Sequence, residues 1–283
     1  MKKNIFKTLL LLCFFSISIT AHSQDALLSS IIKTVSPIET ADLIKKLNIP
    51  YNQSILNSHT KTYTSDFKNA LNLGVYSSDL GYANINEQSA DALNYLTAVK
   101  RTADKINVGD FINVGKILGI AANKNNLNML LEVTTETFEK MSDYLQDQQR
   151  SDLAAMVLVG GYVESFYIMC EIAKQYPNNS ELTTRVIEQK LVLEQILQVL
   201  ESPQFAGNQN IKALAHDLKN LDTLMSKYQF VSSGEVITTQ KTIGDIEVIS
   251  ISDKNLAPEM TIGRDDLATI TGVVSEIRRA IIE

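Results

Sequence analysis

The chain has no tryptophan, two cysteines, three histidines and five prolines in 283 residues. Each scarcity excludes something. One of the cysteines, Cys13, lies in a leader-like segment, so a processed chain would keep Cys170 alone and could form no internal disulfide. His59 and His216 have no second ligand beside them at metal spacing. G-x-S-x-G, phosphate-loop and G-x-G-x-x-G patterns are all absent. The common hydrolase, nucleotide and dinucleotide chemistries therefore have no foothold, and neither a metal nor a cofactor is expected.

The first residues read MKKNIFKTLLLLCFFSISITAHSQ. Lys2, Lys3 and Lys7 precede a 12-residue apolar run, Thr8 to Ile19, and Ala21-His22-Ser23 supplies small residues at the cleavage positions. The run is shorter than the roughly 20 residues of a spanning helix. Residues 1–23 are read as a signal peptide cut after Ser23, and the chain as exported to the periplasm or envelope. A lipoprotein signal at Cys13 is the rival, weakened by Leu12, which is too large for the position before the lipid-bearing cysteine. Removing three lysines and no acid leaves 23 basic against 32 acidic residues, a net charge of −9. A nucleic-acid partner needs clustered Lys and Arg and is not expected.

Helix punctuation dominates the rest. Ser36-Pro37-Ile38-Glu39 is a capping box that opens a helix running to Ile49, before Pro50. Asn84 and Glu87 suggest another start, with a helix ending near Gly109. Apolar residues recur at helical spacing over 126–149, from Ser180 to Leu200, and from Asn208 to about Phe230. After Ser232 the texture turns to Ile, Val and Thr, with Gly244-Asp245 suited to a tight turn; a hairpin or an extended loop fits there. A last amphipathic helix covers about Arg264 to Ile282. The expected fold is all-α for the most part. It is a duplicated multi-helix bundle or array over 24–231, of antiparallel neighbours, with 232–283 packed on the same domain.

The duplication rests on two stretches 86 residues apart. Ser65-Asp66-Phe67 leads to Leu73-Gly74-Val75-Tyr76, and Ser151-Asp152-Leu153 to Val159-Gly160-Gly161-Tyr162. The matching helices are about 65–83 and 151–173, each opened by a serine cap with aspartate in its first turn. Two interior glycines cost a helix about 1 kcal/mol each. Gly74, Ser78 and Gly81 with Gly160 and Gly161 suggest smooth faces for close helix packing; backbone approach by a ligand is the other reading. Leu153 to Ala173 is long enough to span a bilayer, but Glu164 near its centre favours a buried core helix.

Asp79 and Glu164 are the carboxylates of interest, each in the middle of an apolar helix. Pseudo-symmetric packing would turn both toward one cavity, with Tyr76, Tyr82, Tyr162 and Tyr167 as polar-tipped lining. The plainer reading gives each acid a local structural partner. Cys170, in an apolar run, reads as a buried inert thiol.

The stretch LNLGVYSSDLGYANINEQSADALNYLTAVKRTADKI resembles a segment of exported helical proteins of the Bacteroidetes type, and the C-terminal EIRRAII is similar too. The resemblance implies an all-helical periplasmic protein. It brings no activity and no catalytic residue. Taken together, the expected role is non-catalytic binding of a small molecule or an envelope protein. The alternatives are an enzyme using Asp79 and Glu164 as an acid–base pair and a scaffold with a helical groove.

Overall fold

A computed structural model of the chain describes residues 43–121, 127–231, 236–243, 246–253, 257–258 and 260–283. The signal peptide expected at 1–23, the capping box read at Ser36–Glu39 and the turn expected at Gly244-Asp245 lie outside the described residues. The fold is mostly helical. Its helices are α1 (Asp66–Ile85), α2 (Ser89–Lys105), α3 (Val114–Ala121), α4 (Leu127–Asp147), α5 (Ser151–Gln175), α6 (Ser180–Leu200), α7 (Gln209–Met225) and α8 (Arg264–Ile282). Extended pairing is minor. Phe230–Val231 lies antiparallel to Ala257–Pro258, and Val236–Ile243 to Ile246–Asp253.

The caps explain the boundaries. Ser65 accepts from the Lys68 N–H and opens α1, as Asn179 does for α6 and Asn208 for α7. The matching stretch differs from the expected serine cap: Ser151 is already helical in α5, and Arg150 stands before it without a side-chain cap. Nor does Asn84 start a helix. It continues α1, which ends when Glu87 adopts a φ of 58° and the Gln88 N–H returns to the Ala83 carbonyl. The same left-handed step recurs at Asn107 after α2, before Gly109 is reached.

α5 is the central helix, buried along almost its whole length between α1, α4, α6 and α8. Its partner α1 runs parallel to it, because the contacts climb together. Asp66 pairs with Arg150, Gly74 lies against Val157 and Gly161, and Ser78 donates to the Gly161 carbonyl at 2.9 Å. The antiparallel arrangement expected for neighbours fails for this pair. Three helices intervene in the chain and return it to the same end before α5 begins.

The crossing of α1 and α5 explains two glycines. A Cβ on Gly74 would lie 2.0 Å from the Val157 carbonyl oxygen, and one on Gly160 would lie 1.8 Å from that of Leu71. The contact is reciprocal under the 86-residue shift, which carries Leu71 onto Val157 and Gly74 onto Gly160. A Cβ on Gly161 would meet only ordinary contacts, 3.6 Å from the Gly74 oxygen. Gly81 does not belong with them: a Cβ there meets nothing within 4 Å. Seven residues after Gly74, it lies on the same face of α1 but two turns beyond the crossing, where no neighbour approaches.

The final helix α8 closes the bundle over α1, α5 and α7. Its last carbonyls would be orphaned. Instead Asn72 Nδ2 donates to Ile281 O at 3.0 Å, Lys61 Nζ to Ile282 O at 2.8 Å, and Tyr63 to Ile282 O at 3.1 Å. Lys68 Nζ adds a bond to Ile281 O at 3.3 Å. Two lysines at a helix C-terminus also complement its dipole.

Candidate functional site: a buried acid pair

One turn past the glycine crossing, α1 presents Asp79 and α5 presents Glu164, and the two carboxyl groups are close enough to act on each other's ionisation. Neither has any exposed surface. α8 supplies the counter-charge. Arg278 Nε donates to Glu164 Oε2 at 2.6 Å and Nη2 to Oε1 at 2.7 Å, a two-pronged charge-assisted pair. Nη2 also reaches the Ile55 carbonyl at 3.2 Å, and the guanidinium lies 4.2 Å from the centre of the Tyr167 ring. Desolvation works against the Arg278 charge, and Glu164 outweighs it.

Asp79 has a different environment. Neither of its oxygens finds a protein donor. The backbone N–H of Asn57 acts on it weakly, outside hydrogen-bond geometry. An ionised carboxylate would be intolerable there. Burial first, and the Glu164 charge second, push the Asp79 pKa well above the usual carboxylate range. Protonated, Asp79 becomes a donor itself, and Glu164 is the acceptor beside it. Burial also raises Glu164, but the Arg278 bonds and charge pull it back. Both carboxyl groups are pushed upward, Asp79 without the relief that Arg278 bonding gives Glu164, and these directions favour a protonated Asp79 beside a Glu164 carboxylate held by the guanidinium.

Of the six residues expected to line a common cavity, the structure brings together three: Asp79, Glu164 and Tyr167. The others have separate tasks. Tyr76 donates to the carbonyls of Ser58 and Lys61 at 3.1 and 3.2 Å. The Tyr82 hydroxyl accepts from the Asn52 N–H at 3.2 Å, and its ring stacks on Tyr51 with centres 5.3 Å apart. Tyr162 faces α6 instead, donating to the Gln189 carbonyl at 3.1 Å. Two surface hollows lie elsewhere. One, of about 350 Å³, lies between the end of α6 and α7 at Phe205 and His216. The other, of about 500 Å³, lies between Lys46 and Glu188. Neither touches Asp79 or Glu164.

Tyr76 and Tyr82 belong to a second construction, which the sequence did not suggest. Residues 51–63 run irregularly across α1 and α2 with one 3₁₀ turn, Gln53–Ile55. Side chains hold this strap by its carbonyls. Besides Tyr76, Tyr95 donates to Asn57 O at 2.8 Å, and Arg101 donates to His59 O at 2.7 Å and Lys61 O at 3.0 Å. Tyr51 anchors the near end through Asp91 at 2.7 Å. The strap covers the acid pair, since Ile55 and Asn57 are its members closest to Arg278 and Asp79.

Arg278 was the other residue missed. A signal existed: it falls on the apolar stripe of α8, next to Ile277 and one turn from Val274 and Ile281, where a charge needs a buried partner. Cys170 is buried against Thr271, and its thiol is pushed up to about 12 by burial, which makes it unreactive near neutrality. Among the described residues no three His, Cys, Asp or Glu side chains gather as a metal site. Compared with protein-family models, with curated proteins and with solved structures, the chain matches none.

Proposed function

We propose that this chain is exported and acts in the cell envelope by binding a protein partner, not by catalysis. The observation that most supports this reading is the closure of the acid pair. Both Glu164 oxygens are held by Arg278, and neither acid is exposed. A general base needs a path to substrate, and two acids with no exposed surface offer none in this closed form. A small ligand among Tyr76, Tyr82, Tyr162 and Tyr167 would need them to line one chamber, but Tyr76 and Tyr82 hold the strap while Tyr162 faces α6. Binding is then a matter of the outer surface. Leu118 on α3 and Met129 on α4 are large apolar side chains left exposed, and a net charge of −9 after cleavage disfavours nucleic acid.

The exported setting rests on the leader and on the resemblance to Bacteroidetes-type helical proteins. α5 is long and apolar enough to cross a bilayer. Its burial among other helices and the charge of Glu164 at its centre favour a core helix in a protein that does not span the membrane. The reciprocal Gly74 and Gly160 contacts support a duplicated core whose two copies cross at a local two-fold. The paired backbone over Val236–Ile243 and Ile246–Asp253 supports a hairpin ahead of α8.

The test is native mass spectrometry of the processed protein taken from its own compartment, followed by crosslinking in place. The expected result is the bare chain mass and one recurrent crosslinked protein. A bound small molecule, lost on denaturation, would favour the ligand reading instead.

A further inference from the structure

The geometry points to a proton-controlled latch: the strap at 51–63 and the end of α8 stay closed over Asp79 while its carboxyl is protonated, and open when it ionises. The cluster has two carboxyl groups and one guanidinium, and Arg278 spends both prongs on Glu164. Removing the remaining proton leaves a second negative charge with no donor on either oxygen. Water is the missing donor. The strap is the cover that yields most cheaply, because its own backbone makes little regular structure and side chains carry its attachment. Arg278 bonds both Glu164 and the strap carbonyl of Ile55, so a disturbance at the pair reaches α8 and the strap together.

The other groups around Asp79 do not compete for this role. On its own helix is Tyr76, on α2 Tyr95, on the strap Tyr51; burial raises all three above the ordinary tyrosine value, so they stay neutral through the physiological range. On α5 are Glu164 and Tyr167, and on α8 is Arg278, which stays charged. His59 lies on the strap with its ring 6.0 Å from that of Tyr95, and as a histidine it must be controlled for. The sign follows from linkage. The closed form holds a proton that the open form releases, so rising pH favours opening.

The experiment is hydrogen–deuterium exchange of the full folded protein at several pH values between about 5 and 8, with rates corrected for intrinsic exchange. One linked proton makes the opening constant of peptides over 51–63 and 275–283 rise toward about tenfold per pH unit. D79N, which keeps a donor toward Glu164 and cannot ionise, should show a flat profile. H59Q should keep the wild-type slope. A flat wild-type profile, an unchanged slope in D79N, or loss of the slope in H59Q would each overturn the latch.

Discussion

Just past the point where α1 and α5 cross, two contacts stand side by side, and the 86-residue shift turns one into the other. Ser78 of α1 meets Ser165 of α5, with the hydroxyls 3.0 Å apart. Asp79 of α1 meets Glu164 of α5. The shift carries Ser78 onto Glu164 and Asp79 onto Ser165, so the offset of one residue between the two acids is what a reciprocal crossing requires. The serine pair lies toward the surface, Ser165 being exposed; the acid pair is sealed. Two geometrically matched places thus differ with their surroundings. Where water is present, two small hydroxyls suffice. Where α8 and the strap exclude it, charge is present, but it requires Arg278 and a retained proton.

That contrast can be broken from either side. The largest effect is expected from E164Q, which leaves the Arg278 guanidinium buried without its counter-charge. Breaking a buried pair from one side costs about 3–5 kcal/mol, measurable as a lower urea midpoint. The crossing itself comes next. G160A drives a methyl into the Leu71 carbonyl, and overpacking of this kind costs about 1–3 kcal/mol, against a helix-propensity gain of about 1 kcal/mol. With a backbone atom as the obstacle, the loss should lie at the upper end. G81A, on the same helix but in open space, should instead gain about 0.5–1 kcal/mol. A similar loss in both variants would mean that the helix, not the crossing, responds to the change.

Much of the fold was legible because helices announce themselves by caps and periodicity. Ser180 to Leu200 and Arg264 to Ile282 were read at the bounds observed. α3 was not foreseen: eight residues of VGKILGIA give too few turns for a periodic signal. The close approach at Gly74 and Gly160 was readable from small residues in matched places, whereas Gly81 shares their spacing and not their role. Spacing along one helix cannot say how far along it a partner stays close. The matched stretches suggested that Asp79 and Glu164 could face one place, and the structure sets the two acids near each other. Their counter-ion was not foreseen, because Arg278 is 114 residues from Glu164 and only tertiary packing joins them. The strap was invisible for the same reason. Its bonds run from side chains to backbone carbonyls, and carbonyls are identical at every position of a sequence.

The central claim is that the folded core keeps a proton on Asp79. The most direct measurement is urea unfolding of the wild type and D79N across pH. A raised carboxyl pKa contributes stability that is fully present below the ordinary aspartate value of about 4 and is lost as pH rises toward the folded value. Wild-type stability should therefore fall relative to D79N over that window, leaving D79N the more stable protein at neutral pH. Parallel stability curves, or a D79N variant weaker than wild type at neutral pH, would mean that Asp79 is ionised in the folded protein and would contradict the shared-proton arrangement.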